Sequence, residues 1–154
     1  IMEPCKACWA CSGKKNCVHK KDQFQEIFEK MTQADGIILG SPVYTANMSA
    51  NMQALLERAS VVTDMNRSEN LFAHKVGAAV TAARRGGALS ALDSMNHFFM
   101  LQNMFVVGSS YWPMAYGQIP GDVQSDREGL ETMRNLGRNM AYLLKALDER
   151  RRKF

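Results

Sequence analysis

Three short apolar runs constrain this chain more than any other feature: "GIILG" (Gly36 to Gly40), "KVGAAVTA" (Lys75 to Ala82) and "MFVVG" (Met104 to Gly108). Each is short and continuously apolar or small, the pattern of a strand buried on both faces. Between them the periodicity changes. Phe24, Ile27, Phe28 and Met31 stand at helical spacing, with Asp22 as the expected N-cap. Met48, Met52, Leu55, Leu56 and Ala59 mark a second helix, and Leu89, Leu92, Met95 and Phe99 a third. The last helix opens on a capping-box pair, Ser125 and Glu128, and carries the stripe Leu130, Met133, Leu136, Met140, Leu143, Leu144 and Leu147. The segment "SSYWPMAYGQIPGDVQ" (Ser109 to Gln124) reads as a loop, long enough to suggest a binding or interface role. Strands alternating with amphipathic helices predict an α/β fold, a parallel sheet with helices on both faces. We expect one domain over 1–154: a cysteine-rich loop at 1–21, a strand and helix core at 22–150 and a basic tail at 151–154.

Charge and hydropathy narrow the function. No apolar run approaches the ~20 residues that span a bilayer, and no signal-peptide pattern opens the chain. No membrane partner and a cytoplasmic location are therefore expected. The net charge of +4 resides largely in the lysines of the cysteine segment and in the final "ERRRKF". No aromatic residues alternate with the charge of that tail, so no nucleic-acid partner is expected.

In open parallel sheets, ligands bind outside the carboxyl ends of the strands. Two loops that leave those ends, "GSPVYTANM" (Gly40 to Met48) and "TAARRGG" (Thr81 to Gly87), suit a flat heteroaromatic guest. Pro42 stiffens the first and Tyr44 offers an aromatic face. Gly86 and Gly87 let backbone amides approach a ligand at a helix start, where Arg84 or Arg85 would add positive charge. Spacing alone leaves a plainer reading open, with Ser41-Pro42 a turn and Gly86-Gly87 a tight connection.

All four cysteines, Cys5, Cys8, Cys11 and Cys17, fall within "PCKACWACSGKKNC". Two successive x2 spacings let three thiolates come from one looping backbone, and Cys17 can close a fourth corner, as a [4Fe-4S] cluster requires. Lys6, Lys14, Lys15, Lys20 and Lys21 would offset the cluster's negative charge, and Trp9 would shield it from water. His19 stands beside the loop. Zinc is an alternative, although structural zinc sites usually pair two separated knuckles. Thiols that hold no metal are another.

"ILGSPVYTANMSANMQALLERA" resembles the flavin-contacting segment of the flavodoxin-like NAD(P)H-dependent FMN reductases. The Cys-x2-Cys-x2-Cys-x5-Cys spacing resembles the motif of their iron–sulfur flavoprotein branch, and "ARRGGALSAL" is similar to their glycine-glycine loop. The resemblance implies a flavodoxin-like, doubly wound sheet with FMN as cofactor and NAD(P)H as electron donor. Ser41, Pro42, Val43, Tyr44 and Asn47 would border the flavin ring on one side, and Ala82, Arg84, Gly86 and Gly87 on the other. Cys5, Cys8, Cys11 and Cys17 would hold a [4Fe-4S] cluster. Electrons would pass from the nicotinamide through FMN to the cluster, to a quinone-like small molecule or to a redox protein. No side chain is implied as acid or base. A homodimer or homotetramer is implied, with the cysteine loop of one subunit near the flavin of another.

The sequence departs from that family in three places. No strand, phosphate loop, helix and second strand precede the cysteines, and three strand runs stand where five are usual. About 40 residues, enough for a βαβ start, are expected to be missing from the chain. Lys21 replaces a residue that is often acidic, and Ala88-Leu89 replaces a polar pair after Gly87. These departures leave a second expectation: a metal-binding interaction or redox-sensor module with a degenerate flavin site.

Overall fold

Strand β2 (Val76–Ala83) is the centre of the sheet. Val76 to Ala79 are all buried, and their small side chains let helices close on both faces. At Gly77 a Cβ would lie 2.6 Å from the Phe99 ring, so glycine is what permits that helix to approach the strand. The structure, a computed structural model, describes residues 1–151, with side-chain environments described through 148. Apart from Arg151, the last residue described, the expected basic tail lies outside the described residues.

β1 (Gly36–Pro42) pairs with β2 in parallel along its whole length, from Gly36 opposite Val76 to Pro42 opposite Ala82. The other edge of β2 receives two short strands, also parallel. β3 (Phe105–Val106) lies beside Val76 and Gly77, and β4 (Met114–Tyr116) beside Thr81 to Ala83. They are the ends of one interrupted strand. The Val107 N–H donates to Gly77 O at 2.9 Å and the Thr81 N–H to Pro113 O at 3.0 Å, and the chain between bulges outward. The run "MFVVG" therefore supplies two half-exposed strand residues rather than a fully buried strand, and the expected long loop contains a strand of its own.

Helices α1 (Phe24–Gln33), α2 (Ala50–Asp64) and α3 (Ala88–Leu101) share one core with Ile37, Leu39, Ala79 and Ala83 of the sheet. Within it Phe24, Phe28, Phe72 and Phe98 form a chain of ring contacts with centroids 5.3–5.7 Å apart. Helix α4 (Arg127–Arg151) covers the opposite face, with Leu136 and Met140 against Val76 and Ala78. It packs mainly on β2 and β4 and covers β1 at Gly36, where a Cβ would meet Met140 and Leu144, while Ile38 further along the same face is 55% exposed. β1 is thus buried on alternate residues, not on both faces as expected. Leu89, assigned to the buried stripe of α3, is also exposed.

Two helix starts differ from expectation. Gln23 occupies the cap position of α1, while Asp22 accepts the Phe24 N–H at 3.2 Å and otherwise faces a distant arginine. Asp126, not Ser125, caps α4. Its Oδ1 accepts the Gly129 N–H at 2.9 Å, and its Oδ2 accepts the Tyr116 N–H at 2.8 Å. One carboxylate therefore joins α4 to β4, a pairing that a local motif cannot reveal. Among the described residues no helix is long and apolar enough to cross a membrane.

Candidate functional site: strand tips and cysteine cavity

The parallel register of β1 and β2 brings the two expected ligand loops side by side. Beyond Pro42 and Ala82, which face each other, the Val43 N–H donates to Ala82 O at 2.9 Å. Tyr44 and Asn47 bond reciprocally, at 2.8 and 3.0 Å, around Thr45 and Ala46, both with positive φ. This turn presses on the second loop. Gly87 has φ +90°, and a Cβ there would lie 2.5 Å from the Ala46 Cα. Pro42, Tyr44, Asn47, Ala82, Arg84 and Gly86 are exposed at the tips, and Val43 is half-buried.

Ser41 is placed differently from its neighbours. It is buried, and its hydroxyl accepts the Ser49 N–H at 2.9 Å and donates to Pro42 O at 2.8 Å. That side chain holds the loop against the start of α2. Gly87 caps α3 without a side-chain hydrogen bond, so no side chain competes for the first amides of that helix. Near these tips the buried Thr81 Oγ1 has no hydrogen-bond partner among the described residues.

The four cysteines converge on a different place. Cys5, Cys8, Cys11 and Cys17 all line one small cavity of about 20 Å³, together with Trp9, His19 and Arg58. The loop folds back on itself through positive φ at Ala7, Trp9, Gly13 and Lys15, which is how closely spaced thiols come to face one cavity. As it stands the cavity has room for about one water, and no three of the described His, Cys, Asp and Glu residues are gathered tightly enough to grip an ion. A larger group would require the exposed loop to open outward. Burial raises the Cys11 thiol above its ordinary pKa, against a smaller opposing effect from its own backbone. His19 Nε2 lies 3.5 Å from Cys8 Sγ, so the histidine is a neighbour of the thiols rather than a solvated bystander. Trp9 lines this cavity on one side and a groove of about 600 Å³ on the other.

Sequence reading missed the residue that organises this region. Arg58 is 2% exposed on the mostly apolar buried face of α2. Its Nη1 donates to Asp22 Oδ2 at 2.5 Å and to Glu3 O at 3.2 Å, and its Nη2 donates to His19 O at 3.1 Å. The guanidinium lies over the Phe24 ring, 4.1 Å from its centroid. Both ends of the cysteine segment are thus tied to one side chain. Burial alone would raise the Asp22 carboxyl, but the amides of Glu3 and Phe24 and the Arg58 charge together hold it below its ordinary range. Asn66 secures the middle, with Nδ2 donating to Cys11 O at 3.1 Å and to Val62 O at 2.7 Å. The only sequence signal was a charged residue within the Leu55, Ala59, Val62 stripe.

Of the lysines expected to balance the thiolates, Lys6 lines the cavity at its solvent-exposed rim. Lys6 pairs with Glu3 at 3.0 Å and Lys15 with Glu69 at 2.6 Å, both on the surface. Lys14, Lys20 and Lys21 are exposed. Tyr111 and Trp112, in edge-to-face contact at 4.7 Å, line a cavity of about 380 Å³ with Val106 and Pro113, on the far side of β2 from the Tyr44 turn.

Comparison with known proteins agrees with this architecture. Residues 3–118 match the family model described as NADPH-dependent FMN reductase. An iron–sulfur flavoprotein of Methanocaldococcus jannaschii is 37% identical, over 95% of this chain and 77% of the relative. An iron–sulfur flavoprotein of Methanosarcina thermophila is 33% identical, over 99% and 78%. In fold, the chain is similar to a flavodoxin, WrbA-like protein from Agrobacterium tumefaciens, with TM-score 0.53 and 19% identity over 75% of this chain and 74% of that one. It is also similar to the Trp repressor binding protein of Bacillus subtilis, with TM-score 0.58 and 19% identity over 71% and 72%. Those solved structures fix the fold class as flavodoxin-like α/β.

Proposed function

The chain belongs to the family of NADPH-dependent FMN reductases, and from that premise we propose that this FMN-dependent oxidoreductase seats its flavin ring across the tips of β1 and β2 and holds a [4Fe-4S] cluster at its four cysteines. When bound, FMN supplies two-electron uptake of hydride from NAD(P)H and stepwise release of electrons, and a cluster at the cysteines supplies a one-electron relay. The observation that carries the flavin placement is the contact between the Tyr44 turn and Gly87, which joins both ring-bordering loops at adjacent parallel strands. Pro42, Val43, Tyr44 and Asn47 border one side of the seat, and Ala82, Arg84, Gly86 and Gly87 the other. The amides at the start of α3 and the nearby arginines favour negative charge on the ring's edge.

The cluster assignment rests on the donor set. Four thiols line one cavity, and beside them stands a buried guanidinium whose Nε has no hydrogen-bond partner among the described residues. Cys5, Cys8, Cys11 and Cys17 are the ligands. No side chain is needed as acid or base, because the chain's work is positioning and charge placement. The electron acceptor is a quinone-like small molecule or a redox protein, and the working form is a homodimer or homotetramer. A cytoplasmic setting suits four cysteines that are all free of disulfides.

Anaerobic purification of the full chain, with flavin, iron, sulfide and zinc counted per chain, tests this reading. FMN with iron and sulfide supports it, together with loss of the broad cluster absorbance in Cys11→Ala. Zinc without flavin would establish the alternative, a metal-binding interaction or sensor module with a degenerate flavin site.

A further inference from the structure

A cluster held by four thiolates is anionic, and each electron added makes it more so. Such a group needs positive charge close by and shielded from water, where the charge acts at full strength. The lysines of the loop do not supply this: Lys6 lines the cavity but is half exposed and paired with Glu3, and Lys15 pairs with Glu69 on the surface. One cation lining the cavity is deeply buried: Arg58. Its Nη1 and Nη2 are engaged by Asp22, Glu3 O and His19 O, but its Nε is buried with no hydrogen-bond partner among the described residues. A buried N–H left unpaired costs on the order of a whole hydrogen bond, so it signals a partner that is supplied otherwise. Cys17 is close enough that it, like Asp22, favours the charged guanidinium.

We infer that Arg58 is the counter-charge of the cysteine-bound cluster and that its free Nε–H donates to a sulfur of that site. The inference rests on the cluster reading given above. Charge and donor together favour the reduced state of the cluster, while Asp22, paired with the same guanidinium, tempers that effect and keeps the side chain in place.

The experiment measures the cluster's midpoint potential by anaerobic redox titration of the full chain, after iron and sulfide have been counted. Arg58→Met removes the charge and the donor at similar volume. It is expected to lower the equilibrium constant for cluster reduction about tenfold, or about 59 mV for one electron. Arg58→Lys keeps a charge and loses the Nε–H, and should fall between. Asp22→Asn loosens the same clamp but removes a negative charge, so it should move the potential upward. A merely structural role would shift Arg58→Met and Asp22→Asn in the same direction, and that result overturns the inference. So does a parent-like potential in an iron-replete Arg58→Met. If Arg58→Met does not accumulate folded, Arg58→Lys decides: a lowered potential supports the inference and a parental one overturns it. A parent chain without iron and sulfide defeats the cluster reading itself, a failure visible before any substitution is made.

Discussion

At Gly87 an added methyl group would strike the Ala46 backbone at 2.5 Å, and the residue already sits at φ +90°. Gly86, one step earlier, meets nothing within 4 Å. The two glycines are adjacent in sequence and different in physics. Gly87→Val should destabilise the fold by about 2–4 kcal/mol, combining left-handed strain with overpacking, as measured by urea denaturation. Gly86→Val should change stability by no more than ~0.5 kcal/mol yet weaken FMN binding, read by flavin fluorescence titration. Parental FMN affinity in Gly86→Val would rule out the ring placement between these loops. The sequence made the pair conspicuous but could not divide the roles, because only the position of Ala46 decides which glycine is spoken for. Arg58 was less legible still. A charge in an apolar helix face reads as an exception until Asp22, Glu3, His19 and the cysteines are seen around it.

Among the elements, helices were readable and their ends were not. The stripes of α1, α2 and, apart from Leu89, α3 follow from spacing, since three-dimensional packing only selects among faces that periodicity has already drawn. The caps follow from competition between distant partners. Asp22 serves Arg58 and the Glu3 amide as well as its own helix, and Asp126 serves β4 as well as α4. The Asp22–Arg58 pair makes a testable difference to the join between cysteine loop and helices. Removing one partner of a buried pair costs about 3 kcal/mol or more, and Asp22→Asn should show that loss at neutral pH. The pH dependence has a definite sign. The Asp22 carboxyl is held low in the folded chain, so its contribution is complete above the unfolded value of about 4 and is lost as pH falls through the folded value. Denaturation midpoints should therefore drop in acid for the parent and drop less for Asp22→Asn. At the α3–β2 contact, Gly77→Val should cost about 1–3 kcal/mol by forcing the Phe99 ring aside, with strand and helix content retained in circular dichroism.

At the scale of the whole molecule, the parallel α/β plan was written in the alternation of apolar runs and amphipathic stripes. What alternation could not convey was coverage. One helix lies on the face that includes Ile38, and the strand after α3 breaks into two pieces around an aromatic bulge. Trp9, Tyr111 and Trp112 are each more than half exposed, as residues at a subunit contact would be in a separated chain. Sedimentation velocity is expected to give a dimer or tetramer, and Trp112→Glu a smaller species; a monomer at micromolar concentration would count against that assembly. Helix α2 carries the last consequence. Its cap residue Ser49 is bonded to Ser41 at the tip of β1, and it reaches Arg58 beside the thiols ~14 Å further along its axis, at ~1.5 Å per residue. A helix is a stiff ruler, so it fixes the axial offset between the turn it starts from and the arginine that clamps the cysteine segment, whichever groups those two places hold.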